Sequence, residues 1–328
     1  MQNKYIQKKK TILVIGYLWP YSFGGHRLIK VCRELSKEYR VICITRPLFR
    51  YLEDLKKEPF EIYQTKGIIS IYDPIRNLIN LFFNLNKKKK KKLNPDSGFI
   101  NKIKSNDEKP ILLKLIINLL LKLKTIIETC FAIPDIEWPW IFSSKDLVKR
   151  IFEESNPNII VTSFPLSANL IASNLKRKNP EVFWIAEFPD LWSRNHMYPY
   201  CKLRKKIDQF LEIKVLKNCD KIITCQPSEV EPLKNLHNSK IQYLPHCINL
   251  KLHQKANENI KESDLFSIRY LGTIYSQQFN YLKIFMEAFD EFIDYVNLNN
   301  LYKDSNFSDI SVEFIGTVSS ELENLINN

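Results

Sequence analysis

Four residues in one short stretch carry the strongest chemical signal: Glu187, Asp190, Trp192 and Arg194 in the string AEFPDLWSR. They follow the apolar run Val182 to Ala186, so a strand would deliver both carboxylates to its carboxyl end. In a parallel α/β sheet that edge lines the ligand crevice. A carboxylate there can orient a hydroxyl group or hold the loop in place. Each residue also has a plain structural reading, with Asp190 as a cap or as the ion-pair partner of Arg194. Trp192 is either a buried anchor or a ring for a ligand to stack on.

Other candidates lie at comparable places. Gly24 and Gly25 end the loop YLWPYSFGGHR, with His26 beside them. Glycines at a helix start let backbone N–H groups approach an anion, although they also simply permit a tight turn. The spacing is not the dinucleotide fingerprint, because seven residues separate Gly16 from Gly24. Ser163 would follow the strand NIIVTS, and His246 lies where a first domain would hand over to a second. None of the five histidines pairs with Cys or carboxylates at zinc-site spacing, so no metal and no cofactor are expected.

The elements that would position these residues follow from hydrophobic patterning. TILVIG (from Thr11) reads as a strand buried on both faces, Leu28 to Glu38 as a helix and Arg40 to Thr45 as the next strand, a βαβ unit. Phe60 to Tyr72 reads as two more short strands around Gly67. From Ser143 the alternation continues: helix 143–154, strand 158–163, helix 166–178, strand 181–187, amphipathic helix 202–218, strand 221–225, short helix 228–236 and strand 240–244. Strands alternating with helices over this length predict a doubly wound, mostly parallel sheet. Pro245 to Asp264 reads as a connection, and a second unit opens with strand 266–272, helix 280–296, strand 310–316 and helix 319–325. Two strands are few for an independent doubly wound domain, so a truncated second domain is expected.

Composition narrows the partners. The 328 residues suffice for two domains, and the net charge of +13 favours an acidic partner. The seven cysteines form no CxxC pair, and the N-terminus lacks a signal-peptide core, so a cytosolic chain is expected. The basic residues cluster in one run and on helix faces without a recognition module, which argues against nucleic acid. That run, Lys87 to Lys92, lies in an insertion at about 74–133 that ends in the apolar segment 111–133. Interior lysines argue against a membrane span there. Two readings stay open for the segment: a helix packed on its own domain, or one lying in an anionic membrane interface with the lysine run.

The strings ILVIGYLWPYSFGGHRLIKVCREL, PDIEWPW, IIVTSFPLSANLIASNLK, IAEFPDLWS, LEIKVLKNCDKIITC and FSIRYLGTIY, in this order, resemble a GT-B glycosyltransferase of the retaining family 4 type. The resemblance implies a Rossmann-like acceptor domain at 1–250, a linker at 251–264 and a nucleotide-sugar domain, begun but incomplete, at 265–328. It implies transfer of a sugar from a nucleotide-sugar to a polysaccharide or lipid-linked acceptor, with retention of configuration. Asp190 and Glu187 would be catalytic. Gly24, Gly25, His26, Ser163, Trp192 and Arg194 would face the acceptor, and His246, Gly272 and Thr273 the donor. The donor loop TIYSQQFNYLK departs from the pattern in offering no Arg and only Lys283. The alternative expectation is a non-catalytic or partner-dependent fragment of a split transferase, completed by a second chain. Either protein would sit in the cytoplasm, peripheral on the inner face of the plasma membrane.

Overall fold

The computed structural model describes residues 9–17, 23–47, 56–68, 70–73, 126–195, 198, 200–237, 241–246, 265–274, 278–298 and 309–316. The lysine run 87–92, most of the segment 111–133 and the expected helix 319–325 lie outside the described residues. The chain divides into two compact units, the first holding the described residues up to His246 and the second those from Leu265.

The first unit is built on short apolar runs rich in Ile and Val. Its elements are β1 (Thr11–Ile15), α1 (Phe23–Leu35), β2 (Arg40–Thr45), β3 (Glu61–Gln64), α2 (Trp140–Ser143), α3 (Lys145–Ser155), β4 (Ile159–Thr162), α4 (Ser167–Lys178), β5 (Phe183–Phe188), α5 (Lys202–Leu216), β6 (Lys221–Thr224), α6 (Val230–His237) and β7 (Ile241–Tyr243). The seven strands form one sheet in the order β3-β2-β1-β4-β5-β6-β7, and every pairing is parallel. This is a Rossmann-like order, in which the direction of winding reverses between β1 and β4. Alternate residues of β1 serve opposite faces. Leu13 and Ile15 join a core with α3, α4 and α5, while Ile12 and Val14 pack with Leu28, Ile29 and Cys32 of α1. Helices on both faces make the sheet doubly wound, as the alternation predicts.

Two expectations need correction. The helix after β1 begins at Phe23, five residues before the expected Leu28, so Gly24 and Gly25 lie in its first turn. The second strand expected before Tyr72 is replaced by a turn: Ser70 N donates to Asp73 Oδ2 at 2.9 Å and Ile71 N to Ile136 O at 2.9 Å. The backbone there finds its partners within the turn and, through Ile71, at Ile136 rather than in a strand, which β-branched composition alone could not reveal.

The second unit contains β8 (Leu265–Leu271), α7 (Phe279–Leu298) and β9 (Asp309–Ile315), with β8 and β9 parallel. Phe314 and Val312 pack toward α7, where they line, with Leu282 and Phe285, a cavity of about 280 Å³. Both strands end in a glycine at positive φ, Gly272 at 148° and Gly316 at 151°. A Cβ on Gly316 would sit 1.8 Å from the Gly272 carbonyl oxygen, so only glycine fits.

Candidate functional site

The carboxyl edge of the first sheet is where chemistry would sit, and its centre is the switch between β1 and β4. The chain is unusually tight there. Tyr17 N donates to Phe164 O at 2.9 Å and Ser163 N to Ile15 O at 3.2 Å. A Cβ on Gly16 would come within 3.3 Å of the Phe164 oxygen and 3.2 Å of Leu28, so a glycine lets the two loops meet. Ser163 is buried in this junction.

The predicted carboxylates separate into different environments. Glu187, at the end of β5, is 7% exposed and pairs with Arg27 of α1 at 2.5 Å. The same guanidinium donates to Pro245 O at 2.5 Å and Leu244 O at 3.1 Å. Arg27 thereby ties the helix that carries Gly24, Gly25 and His26 to the ends of β5 and β7, immediately before the exposed His246. Glu187 is held in an ion pair inside the fold, an arrangement that suits an anchor between β5 and α1. Asp190 is exposed beyond the strand end, as is Arg194. Trp192 is only 3% exposed and belongs to the main core, so it offers no face for a ligand to stack on. Gly272 and Thr273 lie in the second unit, at the end of β8, where Gly272 N donates to Ile315 O at 2.9 Å.

A second acidic pair, Asp135 and Glu137, went unassigned among the sequence candidates although PDIEWPW contains it. The segment is held from two sides. Arg204 of α5, 2% exposed, donates to the carbonyls of Glu128 at 3.0 Å, Thr129 at 2.8 Å, Ala132 and Pro134 at 3.3 Å. Trp140 is fully buried and donates from Nε1 to Thr65 Oγ1 at 2.9 Å. Asp135 then accepts from Ser167 N, at the start of α4, at 2.8 Å and from Glu137 N at 3.0 Å. It therefore sits at a helix N-terminus, where a carboxylate is favoured. Even so, burial pushes its carboxyl up to about 6 against those backbone bonds.

Glu137 is 8% exposed. Burial, followed by the charge of Asp135, pushes its carboxyl up to about 7, against the opposing pull of Arg46 and Tyr17. Tyr17 faces it from the end of β1. Its hydroxyl is buried without a hydrogen-bond partner of good geometry, and burial together with the Glu137 charge raises its pKa. The Arg46 guanidinium lies 4.3 Å above the Tyr17 ring, and Phe164 meets the ring edge-on at 5.9 Å. Tyr17, Arg46, Asp135, Glu137 and the loop after β4 are thus assembled at the switch point. A carboxyl that keeps its proton near neutral pH can both donate and accept a hydrogen bond, which suits recognition of a hydroxyl group. The sequence signal that could have found the pair is its i,i+2 spacing in a Pro- and Trp-rich segment, but the raised pKa comes from burial.

A further buried carboxylate, Glu212, is structural. It accepts from Ser193 N at 3.0 Å and Ser193 Oγ at 2.5 Å and lies 3.4 Å from His237 Nε2. The carboxylate stands between serine and histidine, so the imidazole has no path to the hydroxyl and the group fixes the loop after β5.

No protein-family model matches the chain, and no curated protein matches it in sequence. Among solved structures, it is similar to Anabaena HepE in complex with UDP, with 8% identity and a TM-score of 0.43 over 97% of this chain and 71% of that one. It is also similar to a glycosyltransferase from Rickettsia africae, with 13% identity and a TM-score of 0.44 over 97% and 70%. A third is the UDP-GlcNAc 2-epimerase of Methanocaldococcus jannaschii, with 9% identity and a TM-score of 0.39 over 97% and 68%. At these identities and scores, none of the three names an activity for this chain.

Proposed function

We propose that the chain is a GT-B-like glycosyltransferase that moves a sugar from a nucleotide-sugar to a hydroxyl of a polysaccharide or lipid-linked acceptor, with retention of configuration. The observation that carries the reading is the cluster of Tyr17, Asp135 and Glu137 at the switch point of the first unit, a buried tyrosine beside two carboxyls of which Glu137 holds its proton to about 7, on a sheet of Rossmann-like order. The ordered sequence strings and the glycine-ended strand of the second unit, at Gly272, support a donor site there. In the proposed reaction the bond from the anomeric carbon to the diphosphate breaks with its electron pair going to the phosphate. The acceptor oxygen bonds to the same carbon from the same face, and its proton passes to the leaving phosphate. Asp190, exposed past β5, would orient the acceptor, and no protein metal is required.

The test is transfer of labelled hexose from UDP-, GDP- and dTDP-hexose into a membrane extract, alongside calorimetry of donor binding. One donor is expected to bind with a dissociation constant below about 1 mM, the usual ceiling for substrates. Tyr17→Phe and Glu137→Gln should cut transfer by about tenfold or more while donor binding persists. Failure of every nucleotide-sugar to bind, or transfer unchanged in both variants, contradicts the reading.

A further inference from the structure

The first three turns of helix α5 are turned inside out relative to an ordinary surface helix, and only the last turn gives buried apolar side chains, Val215 and Leu216, to the core. The buried face of the first turns carries Arg204, Asp208 and Glu212, which are 2%, 1% and 1% exposed. Arg204 pairs with Asp208 at 3.0 Å and holds the 128–134 backbone, Tyr198 donates to Asp208 at 2.5 Å, and Glu212 holds Ser193. The reason is local: this side of α5 lies against loops whose carbonyls and N–H groups need polar partners. The outer face is correspondingly apolar. Leu203 is 70% exposed, Ile207 43%, Phe210 68% and Ile213 43%, spaced so that all four fall on one side of the helix.

Charge identifies what would cover this face. Lys202, Lys205, Lys206, Lys214 and Lys217 are exposed on and at the end of the same helix, and none forms an ion pair among the described residues. Both acidic residues of the helix point inward, so the exposed surface of α5 carries cations and no carboxylate. A protein partner buries charge at cost, whereas an interface of anionic lipid takes apolar side chains into its acyl boundary while lysines reach the headgroups. We infer that the outer face of α5 is a docking surface for an anionic lipid bilayer, entered by Leu203 and Phe210 and held electrostatically by the lysines. This proposal does not use the lysine run at 87–92 and is independent of any transferase activity. Among the described residues no helix is long and apolar enough to cross a membrane, so the contact would be in the plane of the interface.

Co-sedimentation of the full chain with phosphatidylcholine vesicles, with and without phosphatidylglycerol, tests it. Binding is expected only with phosphatidylglycerol. L203S/F210S should weaken binding by about tenfold or more, K205Q/K206Q/K214Q by roughly fivefold per lysine, and added salt should weaken it further. All five positions are exposed, so the melting curves should match that of the unmodified chain, and Phe142→Ser, at another position with 68% exposure, should bind normally. Absence of binding to anionic vesicles, equal binding by L203S/F210S, or an equal loss in Phe142→Ser would overturn the assignment. So would self-association in lipid-free solution that L203S/F210S abolishes, which would make the face an interface between copies.

Discussion

Glu187 and Glu137 are buried to nearly the same extent, 7% and 8% exposed, and both belong to the carboxyl side of one sheet. They differ in their neighbours. Glu187 has the Arg27 guanidinium at 2.5 Å, and that cation is itself fixed by two backbone carbonyls. Glu137 has another carboxylate, Asp135, beside it, and the opposing pull of Arg46 is too small to cancel burial. Burial alone therefore does not mark a carboxylate for chemistry. A buried acid supplied with its own cation suits an anchor, whereas one set beside a second acid keeps its proton to higher pH.

Breaking the anchor should have the larger effect. Arg27→Met leaves Glu187 buried without a counter-ion, and denaturant unfolding should show a loss of about 3–5 kcal/mol. Glu187→Gln added to that variant should recover part of the loss. An Arg27→Met chain within about 1 kcal/mol of the unmodified protein would mean that the pair anchors nothing. The acidic pair should have the smaller effect, visible as pH dependence. Glu137 keeps its proton up to about 7 in the folded state against an ordinary 4.5, and Asp135 up to about 6 against 3.8. Across pH 4 to 7 the folded chain thus binds more protons than the unfolded chain, so this contribution to stability is present at the acid end and lost as pH rises. The Glu137 share is on the order of 3 kcal/mol. Glu137→Gln should flatten that part of the slope, and a stability that rises through this window by the Glu137 contribution would contradict it.

The strands were legible because buried parallel strands need continuous apolar runs, and TILVI and VICIT leave little choice. The strand order was not, since each run fits any central position. The Arg27–Glu187 pair joins residues 160 apart, and no local pattern announces such a contact. Asp190 was recognisable as a strand-end carboxylate and is exposed, while Trp192, in the same string, is core. Helix α5 illustrates the limit from the other side. Leu203, Ile207 and Phe210 have the spacing of a buried stripe, yet over those turns Arg204, Asp208 and Glu212 are buried instead, because they lie against loop backbone, and only Val215 and Leu216 at the helix end are buried in the core. Gly24 and Gly25 were visible as a loop feature but not as the first turn of α1, because glycine is a poor helix former and its place near the helix start must be supplied by the fold.

The contrast between the two glutamates rests on one quantity, the proton on Glu137. Carboxyl-carbon NMR of protein labelled at the glutamate side chains, with Glu137→Gln to identify the signal, reads that proton directly across pH 4 to 9. The account predicts a titration with its midpoint near 7, coupled to that of Asp135 and displaced downward in Asp135→Asn. A Glu137 signal that titrates near 4.5, and does not move when Asp135 is neutralised, would contradict it.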